Sequence, residues 1–161
     1  MNLTIEDKFT KVVTRLAKLS IPKLLIYSFV LNSVIMISFS LLSKPADFRL
    51  EFSSIGEKIF VVVIFGPLFE TTIFQYMIIE YAKKYLHSFF AALLISAIVF
   101  GLCHYYSFNY IIATSISGLI MGGLYIILKM KDSYAFLLVF MLHSAYNLLT
   151  LILNMIFFSH R

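Results

Sequence analysis

From residue 88 to residue 128, forty-one consecutive positions carry no Asp, Glu, Lys or Arg. A helix needs roughly 20 apolar residues to cross the hydrocarbon core of a membrane, so this stretch is long enough for two spans. With 61% hydrophobic and 13% charged residues, the chain carries too much apolar surface for a water-soluble fold of 161 residues. We therefore predict an all-α fold, a polytopic transmembrane helical bundle.

The remaining apolar runs bring the predicted number of spans to about five. Residues 24–42 are predicted to form a first membrane anchor span, because this run is longer than the apolar region of a signal peptide and no A-x-A cleavage site follows. A polar loop over 43–57 separates it from a four-helix membrane core over 58–158. Within the core we expect breaks near 83–84, 104–109 and 129–132.

Residues 1–23, which precede the first span, have the pattern of an amphipathic segment. Basic residues are interspersed there with apolar residues at three- and four-residue spacing: Phe9, Val12, Val13, Leu16 and Leu19. Such spacing places the apolar side chains on one face of a helix. A basic amphipathic helix of this kind is typical of segments that lie on a membrane surface, so we predict that arrangement here.

Basic residues in short loops set the orientation of a membrane protein, and they favour a cytoplasmic N-terminus. Nine of them fall on the side of the N-terminus and four on the opposite side. The net charge of +5 is therefore assigned to topology and to contact with the lipid bilayer, and we predict no nucleic-acid partner. Ten lysines against three arginines hint at an AT-rich genome, so we expect an integral, multi-pass protein of a bacterial cytoplasmic membrane.

A few polar side chains lie within the predicted spans. Glu70 is the only charged residue between Ile59 and Ile79, and ionisable groups at membrane depth usually face a bundle interior and serve a function. His143 and Asn147 are four positions apart on the fifth span and so share one helix face. His104 ends the third span, nearer the outer surface than the central Glu70, so the sequence predicts a mismatch in depth between them.

Two further features bear on how the spans pack. Pro67 lacks a backbone N–H, and we expect it to free the carbonyl of Val63 and open the helix just before Glu70. On the fourth span, the small residues Thr114, Gly118 and Gly122 recur every four positions and would let neighbouring helices approach closely.

Taken in order, GPLFETTIFQ (66–75), FGLCH (100–104) and HSAYN (143–147) resemble the motifs of the CAAX-protease and bacteriocin-processing family of intramembrane proteases, often called CPBP or Abi. That family shows EExxxR, then FxxxH, then HxxxN or HxxxB, each on its own transmembrane helix. The second motif corresponds to Phe100 and His104, and the third to His143 and Asn147. The likeness covers about residues 58–155, with the order and spacing of the motifs retained.

The first motif departs from the family pattern at two positions. Glu70 and Phe74 match, but Thr71 stands where the family has its second Glu and Gln75 stands where it has Arg. The two replacements remove an anion and a cation together and leave neutral side chains that can form hydrogen bonds. The sequence is consistent with a coherent variant of the active site and equally with a member that has lost proteolysis.

The resemblance implies a glutamate-dependent endopeptidase whose water-accessible site lies inside the bundle. Glu70 would act as the general base on a water held between it and His104. His143 and Asn147 would donate hydrogen bonds to the oxyanion that forms on the scissile carbonyl. The substrate would be a membrane-associated protein or a small hydrophobic peptide, and no cofactor or metal is expected.

Three alternatives remain open from the sequence. Glu70, His104 and His143 would supply a His₂Glu zinc set, although nothing resembles the HExxH motif. A non-catalytic member would act as a bacteriocin-immunity or peptide-binding factor. A proton-coupled transporter would use the same buried carboxylate and histidines, but the sequence has no detectable inverted repeat. The sequence predicts nothing about the oligomeric state.

Overall fold

The computed structural model describes residues 3–42 and 52–158, and every regular element in these two ranges is a helix. The predicted all-α class is therefore confirmed. In chain order the helices are α1 (Ile5–Leu16), α2 (Ile21–Leu42), α3 (Ile55–Leu86), α4 (Phe89–Leu102), α5 (Phe108–Met130) and α6 (Ala135–Phe158).

Four of these helices, α2, α3, α5 and α6, are long and apolar enough to cross a membrane. The fifth apolar helix, α4, has 14 residues and spans only about 21 Å at 1.5 Å per residue. Four long helices and one short one agree with the prediction of about five spans. The break between α4 and α5 falls at 103–107 and overlaps the break predicted near 104–109.

The short length of α4 places His104 level with Glu70. Helix α3 ends at Leu86 and α4 begins at Phe89, so both helices have one end at the same tight turn. Glu70 lies sixteen residues before that end of α3, and His104 lies fifteen residues after the start of α4. The predicted mismatch in depth is therefore wrong, because α4 ends before it would cross the full thickness of a membrane.

Helix α3 is longer than predicted and is not a regular α-helix throughout. It begins at Ile55, within the predicted loop over 43–57, whose first nine residues lie outside the described ranges. Two stretches of the helix, Phe60–Phe65 and Thr71–Ile78, have π-helical geometry, and a single α-helical turn, Gly66–Glu70, separates them. Short π-helical stretches inside longer helices occur frequently at functional sites.

Helix α5 lies at the centre of the bundle and packs against α2, α4 and α6. Its small residues allow close approach of the neighbouring helices. A Cβ atom added at Gly118 would come within 3.0 Å of Ala97 Cα on α4 and within 3.1 Å of the Phe100 ring. One added at Gly122 would lie 2.7 Å from Leu93 Cδ1. The backbone of α5 therefore sits directly against α4, the helix that leads into His104.

The N-terminal helix α1 packs on one end of the bundle. Val13 is buried, and Phe9 and Leu19 pack against the core, whereas Val12 and Leu16, from the same predicted apolar face, stay exposed. Glu6 accepts hydrogen bonds from the backbone N–H groups of Phe89 and Phe90, at 3.0 and 3.3 Å, at the start of α4. A carboxylate at a helix N-terminus satisfies donors that have no partner within the helix.

Candidate active site

The α-helical turn between the two π-helical stretches of α3 carries Glu70. The carboxylate of Glu70 faces both predicted histidines: its Oε1 lies 4.0 Å from Nε2 of His104, and its Oε2 lies 3.4 Å from Nε2 of His143. The side chain of Glu70 is 27% exposed, whereas that of His143 is 4% exposed. The site is thus open on the side of Glu70 and His104 and closed behind His143.

The ring of His104 is oriented by the last turn of α4, the helix that precedes it. Its Nδ1 lies 2.7 Å from the carbonyl oxygen of Phe100, one turn earlier. Because a carbonyl oxygen only accepts, Nδ1 carries the proton of the neutral ring and Nε2 has a free lone pair. That lone pair faces the carboxylate of Glu70, so two hydrogen-bond acceptors border the 4.0 Å gap between the two side chains.

The ring of His143 has a partner at each nitrogen. Nε2 faces the Glu70 carboxylate, which only accepts when ionised, so Nε2–H is the donor in that pair. Nδ1 lies 3.4 Å from the hydroxyl oxygen of Thr71, and Thr71 is fully buried. The residue that replaces the family's second Glu is therefore in contact with a histidine of the site.

Asn147 lies one turn beyond His143 on α6, and its side chain contacts the backbone of α3. Nδ2 of Asn147 donates a hydrogen bond of 2.9 Å to the carbonyl oxygen of Val62. The sequence predicted that Pro67 frees the carbonyl of Val63, and this stays a prediction; the carbonyl that Asn147 binds is that of the preceding residue, Val62. The oxyanion role expected for Asn147 stays a prediction.

Aromatic side chains surround the two histidines. The ring of Phe100 lies 4.5 Å from the His104 ring, 6.2 Å from the His143 ring and 5.1 Å from the Phe74 ring, centroid to centroid. Ser96 donates a 2.7 Å hydrogen bond to the carbonyl oxygen of Phe74, which ties α4 to α3 at this level. The two predicted supporting aromatic residues thus pack together beside the site.

Gln75, at the position of the family's Arg, is completely buried. Among the described residues, neither its Oε1 nor its Nε2 has a hydrogen-bond partner. The structure therefore brings Glu70, Thr71, His104 and His143 together, but gives Gln75 no polar contact with them.

The sequence analysis missed two groups at the site. Tyr110, in the first turn of α5, has its ring 6.0 Å from that of His104. The carbonyl of Val62 binds Asn147. The interruption of helix at 103–107 was the available signal for Tyr110, since it lets the chain fold back next to His104. The free carbonyl of Val62 follows from the π-helical register of α3, which could not be predicted from the sequence.

The zinc alternative stays a prediction. Across residues 3–42 and 52–158, no group of three or more His, Cys, Asp or Glu side chains is placed to hold a metal ion.

The chain was compared with known families, curated proteins and solved structures. A family model described as type II CAAX prenyl endopeptidase Rce1-like matches residues 55–149. These residues contain all three motifs and all four predicted catalytic positions. No curated protein and no solved structure matches the chain.

Proposed function

The chain belongs to the Rce1-like family of type II CAAX prenyl endopeptidases, and from that membership we propose that it is an intramembrane endopeptidase that uses Glu70 to activate water. The observation that carries this proposal is the gap between Glu70 Oε1 and His104 Nε2. At 4.0 Å the two atoms are too far apart for a direct hydrogen bond, and both are acceptors. A water molecule between them would donate one hydrogen to each.

Such a water is well prepared to attack a peptide bond. Both of its hydrogens are engaged, so its oxygen lone pairs are free to approach the scissile carbonyl carbon. Glu70 removes one proton as the new C–O bond forms, and it then delivers that proton to the amide nitrogen as the C–N bond breaks and the amine leaves. General-base catalysis of this kind contributes about 10²–10⁴-fold to the rate. No covalent enzyme intermediate is needed.

The oxyanion formed by this attack needs a hydrogen-bond donor. His143 Nε2–H points at the Glu70 carboxylate in the resting site. When Glu70 takes the proton, its attraction for this donor weakens, so the N–H becomes available to the oxyanion. Thr71 supports this role: with the proton on Nε2, Nδ1 of His143 is an acceptor, and the Thr71 hydroxyl, 3.4 Å away, would donate to it. A preorganised donor in a water-poor site is worth roughly 2.7–4 kcal/mol.

The substrate class follows from where the site lies. Glu70 and His104 are partly accessible but are flanked by apolar helices, so the enzyme should take a membrane-associated protein or a small hydrophobic peptide. The family description, CAAX prenyl endopeptidase, makes a substrate with a prenylated C-terminus one candidate. We propose an integral protein of a bacterial cytoplasmic membrane with its N-terminus inside, and we assign no oligomeric state.

The test uses purified protein in liposomes and two pools of quenched fluorescent peptides, one farnesylated at a C-terminal cysteine and one unmodified. Wild-type protein should cleave peptides from at least one pool. Glu70→Gln and His104→Ala should reduce cleavage by about 10²-fold or more while inserting normally. Cleavage by Glu70→Gln at the wild-type rate would refute the base assignment, and inhibition by a chelator would indicate the zinc alternative.

The replacement of the family's Glu and Arg by Thr71 and Gln75 favours one second candidate, a non-catalytic peptide-binding or immunity factor. In that case both pools would stay intact with the wild-type protein, while a peptide would bind equally well to wild type and to Glu70→Gln.

A further inference from the structure

The hydrogen-bond register of α3 just before the site leaves one backbone carbonyl without its helical donor. The N–H of Gly66 donates to the carbonyl of Val61, five residues earlier, as in a π-helix. In the same register the next donor is residue 67 and the next acceptor is Val62. Residue 67 is proline and has no N–H, so the carbonyl of Val62 must find another partner or remain unpaired.

The partner comes from a different helix. Asn147 Nδ2 on α6 donates to this same carbonyl at 2.9 Å. The carboxamide thus stands in the place of the backbone amide that Pro67 lacks. A proline would ordinarily leave this part of α3 free to bend, and the bond to Asn147 fixes it against α6 instead.

Two contacts between α3 and α6 therefore enclose the turn that carries Glu70. On one side Asn147 holds Val62, and on the other His143 faces the carboxylate of Glu70 at 3.4 Å. The two α6 residues are one helical turn apart, so a shift of α3 at Val62 would also change the distance from Glu70 to both histidines.

We infer that Asn147 is a positioning residue, whose carboxamide replaces the missing amide of Pro67 and thereby sets the location of the Glu70 carboxylate. The inference rests on the proposed function for its catalytic consequence. It differs from the role expected from the family resemblance, in which Asn147 donates to the oxyanion. An oxyanion donor acts on the substrate, and no change in α3 would restore its loss. A positioning residue is dispensable once α3 supplies its own donor.

A double-mutant cycle separates the two roles. Asn147→Ala should lower kcat by about 100-fold with little change in KM, because it displaces the general base without touching the substrate. Pro67→Ala should remain near wild type. In the double variant, the new N–H of residue 67 reaches the Val62 carbonyl, and kcat should recover by at least about 10-fold relative to Asn147→Ala.

Leu68→Ala in the Asn147→Ala background is the matched control. It places an alanine at the next position of the same turn, but it adds no donor for Val62, so it should give no recovery. A double variant of Pro67→Ala and Asn147→Ala that is as inactive as Asn147→Ala would overturn the inference and assign Asn147 to the oxyanion.

Thermal unfolding of wild type, Asn147→Ala, Pro67→Ala and the double variant of these two in detergent gives a readout that does not require activity. Asn147→Ala should lower the melting temperature less in the Pro67→Ala background than in the wild-type background. Equal losses in the two backgrounds would refute the coupling. If wild type cleaves nothing and the coupling is present, the proposed function fails while the role of Asn147 stands. Asn147→Leu, which keeps the side-chain volume, replaces Asn147→Ala if the latter does not fold.

Discussion

At the scale of single residues, the site depends on which atoms of Glu70, His104 and His143 face one another. His104 presents a lone pair to the gap because Phe100 holds its other nitrogen, and His143 presents an N–H because Thr71 lies at its other nitrogen. The two histidines are therefore not interchangeable: in the proposed mechanism, His104 would hold the water and His143 would stabilise negative charge.

Thr71 provides a direct test of this division. Thr71→Val removes the hydroxyl next to His143 Nδ1 but keeps the shape of the side chain, so it leaves a buried acceptor unpaired. If the whole loss, about 1–3 kcal/mol, falls on the transition state, kcat should drop by roughly 5- to 150-fold. Thr71→Ser, which retains the hydroxyl, should keep most of the activity. Equal activity of the valine and serine variants would show that the 3.4 Å contact does not orient His143.

Two substitutions at Gln75 should change the stability of the protein in opposite directions. Its buried amide has no hydrogen-bond partner among the described residues, so Gln75→Met should raise the free energy of unfolding by about 1–3 kcal/mol. Gln75→Arg should lower it by roughly 2.5–3.5 kcal/mol, because it places an unpaired cation inside the bundle. Unfolding in mixed detergent measures both. A Gln75→Arg protein of wild-type stability would mean that an acidic or aqueous partner reaches position 75.

The candidate site positions stand out in the sequence because charged residues and histidines are rare within the predicted spans. Glu70 and His143 are conspicuous inside apolar runs, and the motif spacing adds His104 and Asn147. The partner of Asn147 could not be predicted, because it is a backbone atom whose availability depends on the register of α3. Whether Thr71 touches the site likewise depends on the rotation of α3 against α6.

At the scale of helices, the position of α4 decides whether the site forms. This helix is short: Glu6 of α1 binds its start, and α5 packs along its length. The lengths of the apolar runs predicted where the membrane-spanning helices lie in the sequence, because these helices are the most hydrophobic segments of the chain. They did not predict the π-helical stretches of α3 or the docking of α1, because both depend on tertiary contacts.

Two glycines on α5, Gly118 and Gly123, differ in how much space an added side chain would have. Gly118→Ala would drive its Cβ against Ala97 and Phe100, at 3.0 and 3.1 Å, and should cost about 1–3 kcal/mol of stability while displacing the ring beside His104. Gly123→Ala is the control, because among the described residues nothing lies within 4 Å of the added Cβ. It should stabilise α5 by about 0.5–1 kcal/mol.

Cleavage rates and melting temperatures of the two glycine variants test whether the close packing of α5 against α4 supports the site. A Gly118→Ala protein with wild-type activity would show that α4 can move away from α5 without disturbing the site.

At the scale of the whole molecule, α1 and the turns after α3 and α5 lie at one end of the bundle. Glu6 contacts the start of α4, and Lys131 Nζ donates to the carbonyl oxygen of Ala17 at 2.8 Å. This end carries the basic residues that the sequence analysis placed on the cytoplasmic side. The approximate number of helices and their order could be predicted from the hydropathy pattern. The contacts that α1 makes with the turns after α3 and α5 could be seen only in the structure.

The shared end of the bundle leads to a topology prediction. A reporter fused before Met1 and a second one inserted at residues 131–133 should both read cytoplasmic, because excess Lys and Arg stay on that side. A reporter placed in the loop before α3 should read the opposite side. Opposite signals from the first two insertions would contradict the arrangement of the helices, and translocated signals from both would reverse the orientation.

The central claim is that Glu70 drives peptide-bond hydrolysis within the membrane. The most direct measurement compares peptide termini, by mass spectrometry, in native host cells that contain wild-type protein or Glu70→Gln at equal abundance. We predict new termini in or beside transmembrane segments, or at the C-termini of membrane-anchored proteins, only with the wild-type protein. Identical sets of termini in the two strains would contradict the account and assign the chain to the peptide-binding role.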